Sequence, residues 1–260
     1  GVAAQASLVK ISACTYTKDN ADTLARCLDS LRWADEVMVL DSGSTDATEA
    51  IAKQAGARWE FRAWTGFKDQ LTHVRDLATH PWVVVVDADE SVPAPLAEEI
   101  RRKVDAAGDL VAFAIPRETR YLGRWLRHGE FFPDYTLRLF RKDAVHYEGE
   151  PHTRLVPHGP VGRLGNPLRH EGFKSLADQL ETTQRYSTSA AAEMHRTLAG
   201  PCPALAMVTR PPLRFLKAYV AKGGFLDGWP GLVLAATTAH YVFLKYAKLW
   251  ELTHARRPGD

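Results

Sequence analysis

The sequence predicts an α/β fold: a mostly parallel sheet flanked by helices, with a C-terminal helical appendage. Three observations carry that expectation. Trp82-Val83-Val84-Val85-Val86 is an apolar run of the kind buried on both faces inside a parallel sheet. Strand-like and helix-like stretches alternate four times in roughly ninety residues, which argues right-handed crossovers between parallel strands. The last third then changes character, with a helical stretch over 175–198 and an apolar one over 231–244. The expected division is therefore 1–174 and 175–260.

In chain order, residues 8–16 read as a first strand, and Thr15-Tyr16-Thr17-Lys18-Asp19-Asn20 as the loop that follows. Leu24, Cys27, Leu28 and Leu31 fall at helical spacing, so 22–31 is expected to be an amphipathic helix. Residues 36–40 form a second buried strand ending in Asp41-Ser42-Gly43-Ser44-Thr45-Asp46, and 47–55 the next helix. A short third strand is expected over 61–64 and a helix over 69–78, before the valine strand. Pro201, Pro203, Pro211 and Pro212 are expected to break the chain. The stretch 231–244 includes His240 and stays below the roughly eighteen apolar residues of a membrane span. Basic and aromatic residues interleave from Arg214 to Lys222, which suits helices lying on an anionic membrane face. A helical subdomain packed on the sheet domain, or on another copy of the chain, explains the same residues.

A chain of 260 residues can bury a large core, in one domain or one domain with an appendage. The net charge of +2 is too small to argue for nucleic acid, and no RNA-binding aromatic signature is present. Cys14, Cys27 and Cys202 are odd in number and form no CxxC pair, as reduced thiols of a cytoplasmic protein would. Residues 1–7 are small and polar, an expected loose tail without the apolar core of a signal peptide.

The chemistry is concentrated at strand ends. Asp87 and Asp89 follow the valine run two residues apart, so in an extended chain both carboxylates face one way. At the carboxyl end of a buried strand, where open α/β sheets bind ligands, such a pair can hold a hard divalent cation that also binds substrate phosphates. A solvated strand-to-turn junction is the competing reading. Asp41 ends the second strand, where its carboxylate can accept from a ribose hydroxyl or a base imino N–H. Gly43 allows a backbone conformation closed to other residues, and Ser44 or Asp46 can cap the next helix. A turn plus cap accounts for Ser44, Thr45 and Asp46 but leaves Asp41 unexplained. No GxGxxG is present, which disfavours an ordinary dinucleotide fold.

Taken as an ordered set, these motifs resemble glycosyltransferase family 2: 15–20, Trp33-Ala34-Asp35-Glu36-Val37, 41–46, Asp87-Ala88-Asp89-Glu90, Pro133-Asp134, Leu137-Arg138-Leu139-Phe140-Arg141 and 241–250. The likeness is to the branch with the WaaE-type lipopolysaccharide core β-glucosyltransferases. It implies a GT-A fold, a nucleotide-sugar donor, a divalent metal (Mg2+ or Mn2+) and inversion at the anomeric carbon. Carried over by position, Thr15, Thr17, Asp19, Asp41 and Ser42 hold the nucleoside. Asp87 and Ala88 face the ribose or a metal-bound water, Asp89 ligates the metal, and Asp134 is the base, with Glu130 the fallback. The resemblance further implies transfer of a hexose, glucose from UDP-glucose, to a lipopolysaccharide inner-core sugar at the cytoplasmic face of a membrane. Another UDP-sugar with a polyprenyl-linked or surface-polysaccharide acceptor is the alternative, and a scaffold without catalysis is a third reading.

Some positions depart from the family pattern. Gln70-Leu71-Thr72-His73-Val74-Arg75 stands where a Lys-Asn pair is common, so phosphate contacts are either lost or passed to Lys68 or Arg75. His152 and His170 are both candidates to complete the metal shell. Arg138 and Arg141 either face an anionic ligand or form an exposed basic edge.

Overall fold

A computed structural model describes residues 9–149, 153–197 and 204–254. The expected N-terminal tail, His152, Pro201, Cys202 and Pro203 lie outside the described residues. The elements are β1 (Ile11–Thr17), α1 (Leu24–Asp29), β2 (Glu36–Asp41), α2 (Thr48–Gln54), β3 (Arg58–Phe61), α3 (Phe67–Leu77), β4 (Trp82–Val85), β5 (Glu90–Ser91) and α4 (Ala94–Asp105). After them come β6 (Ala112–Tyr121), β7 (Arg124–Trp125), β8 (Asp134–Arg141), β9 (Val145–Glu148), β10 (Arg154–Pro157), β11 (Val161–Arg163) and β12 (Leu168–Glu171). The chain ends in α5 (Leu176–Thr197), α6 (Ala204–Leu216) and α7 (Gly228–His254).

The chain divides into two compact units. One comprises residues 1–117 and 134–170, the other 118–133 and 171–260. Residues 118–133 group with the helices, where Tyr121 and Leu126 pack on Leu234 and the Asp227 carboxylate accepts the His128 N–H at 2.8 Å.

In the first unit, β3, β2, β1 and β4 lie side by side and parallel. The expected α/β class holds, with β8 and then β6 continuing the sheet antiparallel. Trp82, Val84, Val86, Phe113 and Ile115 face one apolar layer with Leu96 and Ile100 of α4. Val83, Val85, Cys14, Met38 and Phe140 face the other, with Val74 of α3. Apolar layers on both faces explain why the valine run does not alternate. The third strand is Arg58–Phe61 rather than 61–64. Its charged Arg58 and Glu60 hid it, yet Met38 to Asp41 of β2 pair with Arg58 to Phe61 in register, and the partner strand decides its limits.

In the second unit α5 and α6 both pack on α7, with Ala191, Ala206, Tyr246 and Leu249 in one cluster. Leu126, Tyr121 and Leu234 form another. Pro211 and Pro212 lie inside α6 and do not break it; its packing on α7 sustains the helix despite the lost backbone donors.

Candidate active site

Because β1, β2 and β4 are parallel, their carboxyl ends share one edge of the sheet, and the loops there carry most of the expected site residues. Asp41 is 3% exposed. One carboxylate oxygen accepts the backbone N–H of Gly43 and of Ser44, each at 2.9 Å, and the other accepts the Ser44 hydroxyl. The loop's own donors therefore account for this aspartate, which the turn reading had left unexplained. Three of about four lone-pair sites are in use. Gly43 has φ +99°, the left-handed region that the turn requires. Ser42 donates its N–H to the Thr17 carbonyl at 3.0 Å.

Asp19 is also engaged. Its carboxylate accepts the Thr45 N–H at 2.7 Å, and its own N–H is given to the Ser44 hydroxyl at 2.8 Å. Thr17 donates to the Asn20 side chain at 3.0 Å, and Thr15 is fully buried in β1. The loop after β1 and the loop after β2 thus clasp one another, so ordering either orders both.

The acidic motif departs from the extended geometry expected of it. The strand ends at Val85, and residues 86–89 turn, closed by the Glu90 N–H on the Asp87 carbonyl at 2.9 Å. The two aspartates consequently take different partners. Asp87 is gripped by both terminal nitrogens of Arg138, one at 3.0 Å, and takes a hydrogen bond from the Tyr16 hydroxyl. Burial works against its charged form, but the Arg138 guanidinium outweighs burial and holds the carboxyl below its usual range. Asp89 instead sits beside His170, carboxylate oxygen to Nε2 3.4 Å, with the aspartate side chain 42% exposed. The pairing of β12 with β5, His170 opposite Glu90, brings the histidine there. Ala88 points its methyl into a core cluster with Leu24, Leu28, Val39 and Ala52, which leaves only its backbone to meet a ligand.

Asp134 opens β8 opposite Arg117 of β6. Arg117 donates to it at 2.6 and 3.1 Å, and the aspartate side chain stays 39% exposed. Between the two arginines lies Glu90, with no exposed surface, 3.3 Å from Arg138 and 3.5 Å from Arg117. Its other oxygen accepts the Asp87 N–H at 3.0 Å. Burial and then the Asp87 charge push the Glu90 carboxyl upward. The result is one alternating chain of charge, Asp87, Arg138, Glu90, Arg117, Asp134, joining the turn after β4 to the start of β8. Glu90, Arg117 and Tyr16 are functional candidates that the sequence reading did not single out. Arg138 forms no exposed edge: its side chain is largely buried against Asp87 and borders an open cavity.

The aim of Arg138 comes from a β-bulge. Pairing runs Arg117 to Ala114 against Asp134 to Leu137, then resumes at Phe113 with Leu139. Arg138 is the extra residue, and a bulge re-aims its side chain. Arg141, by contrast, sits opposite Trp82 at the other end of β4. Its guanidinium lies over the Trp82 ring and donates to the Leu110 and Gly108 carbonyls, so it is a structural cation, not an anion contact. Arg75 is likewise held at that far end, on the Val145 carbonyl at 2.9 Å and on Asp76. Lys68 is exposed near the start of α3. Glu130 is engaged by Arg214 at 2.6 Å and Lys222 at 3.3 Å within the second unit.

A cavity of about 610 Å3 opens alongside Tyr16 and Arg138, walled by Phe67, Leu71, Tyr135 and Tyr147. That is the usual size of a small-ligand site. Among the described residues no three His, Cys, Asp or Glu side chains form a metal cage by themselves, and Cys14 and Cys27 are buried free thiols.

Residues 12–164, more than half the chain, match the family model described as glycosyl transferase family 2. The lipopolysaccharide core biosynthesis glycosyltransferase LpsC of Rhizobium meliloti is 29% identical over 88% of this chain and 87% of its own. An uncharacterized glycosyltransferase of Rickettsia felis is 27% identical over 93% of this chain and 90% of its own. Among solved structures, Mycobacterium tuberculosis glucosyl-3-phosphoglycerate synthase, with Mn2+ and UDP-glucose, is 17% identical over 72% of this chain and 79% of its own, with a TM-score of 0.47.

Proposed function

This chain belongs to glycosyltransferase family 2, and from that premise we propose that it is an inverting, metal-dependent hexosyltransferase. The reading is that it moves glucose from UDP-glucose onto a lipopolysaccharide inner-core sugar, as a peripheral protein at the cytoplasmic face of the membrane. The likeness to a lipopolysaccharide core glycosyltransferase supports the class of acceptor. The observation that carries the mechanism is the alternating charge chain, which runs from the acidic turn to a half-exposed aspartate.

Asp89 and His170 supply an oxygen and an imidazole nitrogen, 3.4 Å apart and partly exposed. That donor set fits Mg2+ or Mn2+ with its remaining positions left to diphosphate and water. A cation held there supplies charge neutralisation for the departing nucleoside diphosphate. Asp87, engaged by Arg138, serves as a fixed hydrogen-bond partner for the ribose or a bound water rather than as a metal ligand. Asp41, Ser42, Thr15, Thr17 and Asp19 shape the nucleoside end, chiefly through the backbone of the two clasped loops.

Asp134 takes the proton of the acceptor hydroxyl as that oxygen attacks the anomeric carbon from the face opposite the diphosphate. Arg117 orients this carboxylate, and Glu90 keeps the two arginines from repelling each other. A thermal-shift screen of nucleotide sugars, with and without Mn2+, tests the donor, because a preferred donor stabilises the fold by mass action. UDP-glucose should raise Tm more than other nucleotide sugars, and only with metal. An equal response to all of them, or none, refutes the donor assignment.

A further inference from the structure

In the helical unit, an apolar face of α6 is exposed among the described residues. In α6 and the π-helical turn that continues it, Lys217–Ala221, the buried positions are Ala206 and Ala218. Leu205, Val208, Leu213, Leu216 and Val220 are instead 52–71% exposed, and Trp229 at the start of α7 is 79% exposed. The apolar stripe of a surface helix ordinarily faces the core. Here Ala206, Met207 and Ala218 face inward, while five large apolar side chains look outward.

Charge tells what this face suits. Residues 204–226 hold Arg210, Arg214, Lys217 and Lys222 and no acidic residue. Glu130 engages Arg214 and Lys222 and Arg210 lies over the Tyr246 ring, so the face keeps a net positive charge with Lys217 exposed on it. No helix among the described residues is long and apolar enough to cross a membrane. Exposed leucine, valine and tryptophan bordered by lysine and arginine are the features of a helix lying in the interface of an anionic bilayer. Two such faces docked on each other by two-fold symmetry would bring like charges together, which disfavours a second copy as the occupant.

We propose that α6 and the turn after it form an anionic-lipid docking surface, with Leu205, Val208, Leu216 and Val220 entering the acyl boundary and Lys217 meeting the headgroups. This deepens, and rests on, the peripheral-membrane part of the proposed function, but it is read without any transfer step, so either can fail alone. The test is flotation of the whole chain with phosphatidylcholine vesicles, with and without phosphatidylglycerol. The protein should float with the anionic vesicles and stay down with the neutral ones. Val208→Glu with Leu216→Glu should lower partitioning by more than about tenfold, because two apolar side chains leave the interface. Lys217→Ala should lower it about fivefold, and less at high salt. Circular dichroism confirms that each variant is folded, which the exposure of these positions leads one to expect. Equal flotation with neutral vesicles, or a folded double variant that floats like the parent, overturns the proposal. So does a parent that stays down with both vesicle types while light scattering shows a dimer that the double variant turns into a monomer.

Discussion

Replacing Asp134 with asparagine separates a catalytic carboxylate from a structural one. The side chain is 39% exposed and its partner Arg117 also lies 3.5 Å from Glu90, so the guanidinium keeps one anionic neighbour after the change. Losing a pair this exposed costs about 1 kcal/mol or less. For a chain of this length that lowers Tm by roughly 2–4 °C. If Asp134 is the base, turnover falls by about 10²–10⁴-fold, the usual worth of a positioned general base. Donor affinity should stay within about threefold, since the carboxylate does not face the nucleoside loops. The assay is transfer under single-turnover conditions, paired with calorimetric binding of the nucleotide sugar. Arg117→Gln is the companion variant. It leaves the base in place but unoriented, so its loss of turnover should be the smaller and should respond to pH differently. A folded Asp134→Asn protein that turns over at the parent rate refutes the assignment, and a large loss of donor affinity would mean that the aspartate holds the donor instead.

Other perturbations read the rest of the site. Asp89→Ala should abolish Mn2+-dependent nucleotide binding, and His170→Ala should weaken it, with metal titration by calorimetry as the check; unchanged metal dependence in both would exclude them as ligands. Glu90→Gln leaves two arginines around a neutral, fully buried amide. Because burial and the Asp87 charge already push the Glu90 carboxyl upward, the neutral amide should cost little, a fall in Tm below roughly 4 °C; a fall on the order of 10 °C would mean that the Glu90 charge is what holds the two arginines. Glu99 accepts the Gly165 and Asn166 N–H groups and the Asn166 amide, at 2.9, 2.8 and 2.8 Å. Burial opposes its charge, yet these donors outweigh burial and hold the carboxyl below its ordinary value. Its contribution is therefore complete above the unfolded value of about 4.3 and is lost as pH falls through the lower folded one. In urea titrations the deficit of Glu99→Gln should be constant above about pH 5 and shrink below about pH 4.

The α/β class, the parallel sheet and the carboxyl-end placement of the motifs were legible from residue patterns. A doubly buried strand must be apolar throughout, and parallel neighbours put their loops on one edge. The resemblance in the ordered motifs named the family that the comparison then supported. Partners were not legible, because they lie far apart in the chain. Asp41 and Asp19 looked free, yet Asp41 is engaged by its own loop and Asp19 by the loop after β2. Arg75 and Arg141 looked available and lie at the far end of the sheet.

What the sequence by itself determined is chemistry: which residue types stand at which strand ends, because side-chain periodicity and acidity are properties of the chain. What only the tertiary structure decided is partnership. Asp87 and Asp89 part because the strand stops at Val85 and the chain turns. A single extra residue in β8 aims Arg138 at Asp87, and the β12–β5 pairing sets His170 beside Asp89. Register between distant strands depends on which layers pack together, and no local run of residues encodes it.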